Sequence, residues 1–285
     1  MLKIRYLDII WLLIKCPMTS EMIFRASKNF RIPYTSIGNL RNDLLHLHAL
    51  GFIGRQRIPS TGRGQKEYLY FPAKGVKRLP ELSNLSLPDA AFRGFSGSQW
   101  HSEAISEFVS HFEKSAGDLK SRVKPLVAIR DGYFVATLRM NTAQESTTSL
   151  KPDYTLVADI DGVVSLLFVE IFNSPALVNP LSPQSVGRSV RFKMAKYKAF
   201  QQVLHLHPVV ADLQSQFNCR FLGFRVLVVT TKGDAHRNSL VAWAKKDGFQ
   251  TMFYFAAMDG IRSANLFTAP VWSLPNGMKR GLTDI

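Results

Sequence analysis

A chain of 285 residues, 46% of them hydrophobic, is long enough for two domains with real cores and falls outside the disordered class. Its 36 Lys and Arg against 21 Asp and Glu leave a formal charge of +15. Such an excess points to a polyanionic partner, nucleic acid first and an anionic membrane second, because neutralising phosphates releases counterions. A membrane-spanning or signal-peptide segment is not expected, since the longest apolar run near the N-terminus, Ile9 to Ile14, is six residues between Asp8 and Lys15, against roughly 20 for a span.

The basic density is concentrated early: residues 1 to 95 hold 15 Lys and Arg against 6 Asp and Glu. Within that stretch, Leu2 to Lys15 has helical spacing and stops before Cys16-Pro17, where proline disfavours continuation. A second helix is predicted over Thr19 to Asn29, with Thr19 or Ser20 as N-cap and Pro33 beyond its end. The third, Ser36 to Leu50, puts Ile37, Leu40, Leu44, Leu47 and Leu50 at spacings of three and four, and Gly51 ends it. Two strand-like runs follow, Phe52 to Ile58 and Lys66 to Phe71, around a Ser/Thr/Gly/Arg turn.

Three helices and a basic hairpin, in that order, read as a winged helix-turn-helix domain, in which the third helix enters the major groove and the wing follows the backbone. Arg41, Asn42 and His46 or His48 are then the exposed residues of the reading helix, and Arg55, Arg57, Arg63 and Lys66 line the wing. The alternative for the same residues is a solvated face on a dimerisation domain, since winged helices also serve as protein-docking modules. Residues 79 to 99, rich in Pro, Ser and Gly and without a period, mark a boundary. This divides the chain into a DNA-binding domain over 1–85, a linker over 86–99 and a second domain over 100–285.

From Trp100 the pattern changes. An amphipathic helix with Ile105, Phe108, Val109 and Phe112 on one face carries His101 and Glu103 in its first turn. Strands are predicted at Leu126 to Arg130, Gly132 to Arg139, Tyr154 to Asp159, Val163 to Phe172, Phe221 to Thr230 and Thr251 to Ala256, and helices at Ser189 to His205 and Asp234 to Asp247. The whole chain is thus expected to be α+β, the second domain an α/β sheet preceded by one helix and interrupted by another. Asp153 starts one strand, Asp161-Gly162 closes a two-residue hairpin turn, and Glu170 lies in the returning strand between Val169 and Ile171. An ionised carboxylate there costs several kcal/mol unless a cation or hydrogen bonds compensate it. A divalent ion on oxygen ligands, Mg²⁺ or Mn²⁺, is one such compensation.

Pro152-Asp153, then Glu170, then Lys193 and Tyr197 in "KMAKY" on the following helix resemble the PD-(D/E)XK nuclease superfamily, whose core is a mixed sheet flanked by helices. Taken with the N-terminal winged helix and the helix bearing His101, the pattern looks like the replication-relaxation family, related to the MobC-type relaxases of mobilisable plasmids. The resemblance implies a restriction-endonuclease-like domain and metal-dependent nicking of DNA at a plasmid or mobile-element origin, in plasmid mobilisation and conjugation. Asp153 and Glu170 would be metal ligands, completed by His101 or Glu103. The partners implied are double-stranded DNA, a single-stranded segment within it and an accessory relaxosome protein.

In one respect the chain departs from the superfamily, which places its lysine two residues after the second acid, where this chain has Phe172. Lys193, Lys196 or Arg191 is then expected to reach the site from the next helix, with Lys193 favoured because it shares a helical face with Tyr197 four residues on. Tyr197 is either a nucleophile, as in relaxases, or a residue packed on the sheet, with water attacking instead. If no lysine reaches the site, the alternative is a non-catalytic DNA-binding replication or transcription regulator with a degenerate nuclease domain. His46-x-His48 and His205-x-His207 have spacings that splay on a helix and are not read as metal sites. "TTKGD" at 230 to 234 lacks the Walker spacing, so ATP use is not expected. Cys16 and Cys219 show no ligand spacing, which fits a reducing cytoplasm.

Overall fold

The computed structural model describes residues 2–58, 67–80, 99–130, 134–140, 146–172, 190–249 and 252–284. It is a mixed α and β protein that divides into two compact units, Met1–Lys120 and Ser121–Ile285.

In the first unit, α1 (Ile4–Lys15) leads through β1 (Met18–Thr19) into α2 (Ser20–Ala26). Thr19 is the N-cap of α2, its hydroxyl accepting from the Met22 N–H at 3.3 Å. The helix continues as a 3₁₀ turn through Asn29. Ser36 caps α3 (Ile37–Ala49), its hydroxyl accepting from the Gly38 N–H at 3.2 Å. The end of α3 is a Schellman motif: the Phe52 N–H bonds the Leu47 carbonyl and the Gly51 N–H the His48 carbonyl, with Gly51 at φ +74°. That reversal shortens the predicted apolar stripe. Leu40, Leu44 and Leu47 are buried, whereas Leu50, already on the cap, is exposed. β2 (Ile53–Arg57) and β3 (Tyr68–Pro72) follow, and the antiparallel sheet has the order β1-β3-β2.

The last helix of this unit is α4 (Gln99–Gly117). The sequence pattern assigns it to the second domain, but it packs on α2 and is buried around most of its circumference. Lys15 Nζ lies 2.5 Å from Glu113 Oε1, Asn29 donates to Glu113 Oε2 at 2.6 Å, and Arg25 donates to Ser110 Oγ at 2.8 Å. At Gly117 a Cβ would lie 2.4 Å from the Lys28 carbonyl carbon, so only glycine allows this approach.

The second unit is built on a seven-stranded mixed sheet. Its strands are β4 (Val123–Arg130), β7 (Tyr154–Ile160), β8 (Val163–Phe172), β9 (Phe224–Thr230), β10 (Phe253–Ala257), β11 (Trp272–Ser273) and β12 (Lys279–Arg280); β5 (Ala136–Met140) and β6 (Ser146–Leu150) form a separate two-stranded ladder. The order is β12-β11-β10-β9-β8-β7-β4. β4, β7 and β8 form an antiparallel meander, and β8, β9 and β10 run parallel. Between β8 and β9 the chain passes through α5 (Val190–Val203) and α6 (Pro208–Gln216), and between β9 and β10 through α7 (Gly233–Lys246); α8 (Met258–Ser263) follows β10. β8 is central and buried continuously from Leu166 to Ile171, which accounts for its unbroken apolar run. Phe168, Tyr197, Phe200 and Phe224 meet there with ring centroids 5.0 to 6.0 Å apart.

The strand predicted from Gly132 begins at Ala136 and lies in the small ladder, with 131–133 outside the described residues. The strand predicted from Phe221 begins at Phe224, and α6, with Pro208 in its first turn, is an element the apolar spacing did not reveal.

Candidate functional site

The site grows out of a turn. Asp161 and Gly162 both have positive φ, +52° and +83°, so the β7–β8 connection is a two-residue turn of the primed kind that matches strand twist. Arg122 clamps the turn: its guanidinium donates to both Asp161 oxygens at 2.7 and 2.8 Å, and its carbonyl accepts from the Asp161 N–H at 2.7 Å. The turn sets the register, Ile160 opposite Val163 and so on to Tyr154 opposite Val169. The next pair outward is Asp153 and Glu170. A slip of one residue would send one of them to the other face. Asp153 is pinned by the Ile171 N–H, which donates to its Oδ2 at 2.8 Å.

From α5, Met194, Tyr197 and Phe200 are buried against the sheet. This orientation brings Lys193 and Tyr197, one turn apart, to the carboxylates. Lys193 Nζ lies 3.2 Å from Asp153 Oδ1 and contacts Glu170 Oε2, while the Tyr197 hydroxyl donates to Glu170 Oε1 at 2.5 Å. The side chains of Glu170 and Tyr197 are buried, that of Asp153 nearly so, and Lys193 keeps 29% of its surface in solvent. The cost of burying Glu170 is therefore offset by one ammonium and one hydroxyl.

Burial, and less so Asp153, raises the Glu170 carboxyl against the opposing pull of the Lys193 ammonium, and the net result is about 8. Burial works the other way on Lys193, but the two carboxylates outweigh it and hold the ammonium above its ordinary value. Burial, and then the adjacent Glu170, raise the Tyr197 phenol well above the ordinary range, so it is a donor and not a phenolate at neutral pH.

The two other candidates on α5, Arg191 and Lys196, are committed elsewhere. Arg191 forms a fork on Asp247, with contacts of 2.7 and 3.0 Å, and lies over the Trp243 ring. Lys196 Nζ donates to the Ser149 carbonyl at 2.9 Å. Phe172, where the superfamily has lysine, puts its ring centroid 6.0 Å from Lys193 Nζ. His101 and Glu103 stand on α4, in the first unit; Glu103 is raised by burial and by Glu67 and Glu107. Two contributions escape a reading of the sequence. One is the Ile171 N–H, for which no side-chain signal exists. The other is Tyr197 as the donor that orients Glu170, whose signal is its spacing of four from Lys193.

Among the described residues no group of three or more His, Cys, Asp or Glu could hold a metal ion. Asp153 and Glu170 nevertheless fit Mg²⁺ or Mn²⁺ in the form that uses two carboxylates and fills its shell with water and phosphate oxygens. Both are hard oxygen donors, and they already share one cationic atom, Lys193 Nζ.

In the first unit, Arg41 and Asn42 are exposed on α3, and Arg41 pairs with Glu21 at 3.0 Å. His46 is exposed, whereas the His48 ring lies 3.0 Å from the Ile53 carbonyl. Arg55 and Arg57 are exposed on β2, and Arg55 lies over the Tyr68 ring at 4.8 Å. A cleft of about 520 Å³ between α3 and the hairpin is lined by Arg41, Leu45, Arg55, Glu67, Tyr68 and Tyr70. Arg63 and Lys66 lie outside the described residues. No helix among the described residues is long and apolar enough to cross a membrane. No protein-family model, no curated protein and no solved structure matches the chain.

Proposed function

We propose that this protein is a metal-dependent DNA-nicking enzyme with a winged-helix unit that binds duplex DNA and a PD-(D/E)XK nuclease-like unit that cuts one strand. The observation that carries the reading is the meeting of Asp153, Glu170 and Lys193 at the open end of the β7–β8 hairpin. Further support comes from the topology, an antiparallel meander, helices, then a strand parallel to the last of the meander, which is the mixed sheet flanked by helices that the resemblance implies, with Asp153 just before β7 and Glu170 near the end of β8. The three helices, the hairpin and the exposed Arg41, Arg55 and Arg57 support the DNA-binding half. Action at a plasmid or mobile-element origin rests on the resemblance to the replication-relaxation family.

Asp153 and Glu170 would hold Mg²⁺ or Mn²⁺, which polarises a phosphate and lowers the pKa of a bound water. Lys193 stabilises charge developing on the phosphate oxygens. Tyr197 holds Glu170 in orientation through its hydroxyl and, buried and protonated, leaves the attack to water. A second reading, a DNA-binding regulator with an inactive nuclease unit, is favoured by Phe172 and by the pairing of both acids with Lys193.

Supercoiled plasmid incubated with Mn²⁺, with and without chelator, separates the two. The enzyme produces nicked circles that chelator abolishes and that Asp153→Asn fails to produce while still shifting DNA. Native protein that shifts DNA and leaves it supercoiled is the regulator.

A further inference from the structure

We infer that Lys193 is the resident cation of the Asp153–Glu170 pair, and that a divalent ion enters by exchange with its ammonium rather than by filling a vacant site. The inference rests on the nuclease reading and adds how the site is loaded. Asp153, one residue before the β7–β8 pairing, and Glu170, one residue beyond it, both contact Lys193 Nζ, and Glu170 is 2% exposed, so without a cation between them the ionised carboxylates would repel in a poorly solvated space. Lys193 Nζ reaches both. With both carboxylates ionised, as a bound divalent ion would hold them, one positive charge against two negative leaves the cluster at −1, an attraction for a doubly charged ion.

The geometry of the three side chains makes the lysine the member that leaves. Asp153 is held by the Ile171 N–H and Glu170 by the Tyr197 hydroxyl, both through the oxygen that faces away from Lys193. Lys193 is held by the two carboxylates, with its Nζ 6.0 Å from the Phe172 ring centroid and more of its surface in solvent than either acid. Exchange therefore keeps the carboxylates in place and moves one flexible, partly solvated chain outward. The same lysine guards the acids before loading and serves the loaded site.

Mn²⁺ titrated calorimetrically into the full chain without DNA tests the exchange. Lys193→Met keeps the stem and removes the charge. The expected result is Mn²⁺ affinity at least tenfold tighter than native, abolished again when Asp153→Asn is added. Equal or weaker affinity in a folded Lys193→Met overturns the exchange. Should that variant fail to fold, the native chain supplies the test through reductive methylation of its lysines, read by mass spectrometry. Lys193 is expected to be modified several-fold faster with saturating Mn²⁺ than without, while Lys198, exposed on α5, is unchanged. An unchanged Lys193 rate at saturation overturns the exchange. Mn²⁺ uptake equal in native and Lys193→Met sinks the exchange alone, no uptake by either sinks it together with the nuclease reading, and exchange without plasmid nicking sinks only the nuclease reading.

Discussion

At the scale of single residues, Glu170 is the most consequential acid in the chain, because its carboxyl is raised by burial while its neighbours restrain the rise. A group whose folded pKa exceeds its unfolded one binds more protons folded than unfolded between the two values. Its contribution is thus fully present below about 4.5 and lost as pH rises toward about 8. Native protein should lose urea stability between pH 5 and pH 8 relative to Glu170→Gln, which keeps the shape and the Tyr197 contact without the titration. Parallel pH profiles for the two proteins would contradict this. Tyr197→Phe removes one hydrogen bond to that carboxylate and no nucleophile. Nicking should stay within about tenfold of native, roughly 1.4 kcal/mol in barrier, and denatured reactions of either protein should hold no protein–DNA adduct. An adduct that native protein forms and Tyr197→Phe does not would show that the phenol attacks.

At the scale of elements, two glycines govern how neighbouring segments meet. Gly162 sits at φ +83° in the turn that sets the β7–β8 register, and no atom crowds its Cβ position. Gly162→Val should therefore destabilise by strain alone, on the order of 1 kcal/mol or more, and weaken Mn²⁺ uptake, since the turn and the acids are two ends of one ladder. Unaltered metal affinity with lowered stability would detach the site from the turn. Gly117 is the converse: a Cβ would strike the backbone of Lys28 and Asn29. Gly117→Ala should cost about 1–3 kcal/mol, read as a lowered urea midpoint. Little change would mean that α4 does not sit closely on the turn at Lys28 and Asn29. The hairpin and its turn were legible because Asp-Gly between two apolar runs is a local signal. The membership of α4 was not, because it depends on Glu113 pairing with Lys15, 98 residues away, and a buried glutamate on an amphipathic helix reads as a surface one.

For the whole molecule, the charge of +15 is the broadest statement about partners, and it belongs to surface rather than core. Arg55 and Arg57 are exposed along β2. Replacing both by alanine should weaken DNA binding across sequences and flatten the slope of log affinity against log salt by roughly 1 to 2, about 0.9 for each phosphate that is no longer neutralised. An unchanged slope in filter binding would take this strand out of the interface. Arg41→Ala, on α3, should instead change which sequences are preferred.

Legible in the sequence alone were features written in neighbouring residues: the three early helices, the second capped at Thr19 or Ser20 and the third ended by Gly51, the Asp161-Gly162 turn, the strands around Asp153 and Glu170, and the shared helical face of Lys193 and Tyr197. Periodicity and turn chemistry act over a few residues, so they survive without a tertiary context. Only the tertiary structure decided which cation meets Glu170. Lys193, Lys196 and Arg191 all lie within six positions on one helix, and their assignment turns on which face α5 buries and on the carbonyl of Ser149 and the carboxylate of Asp247 that take the other two. The division of the chain after Lys120 was decided the same way, by contacts between residues far apart in sequence, which no local pattern records.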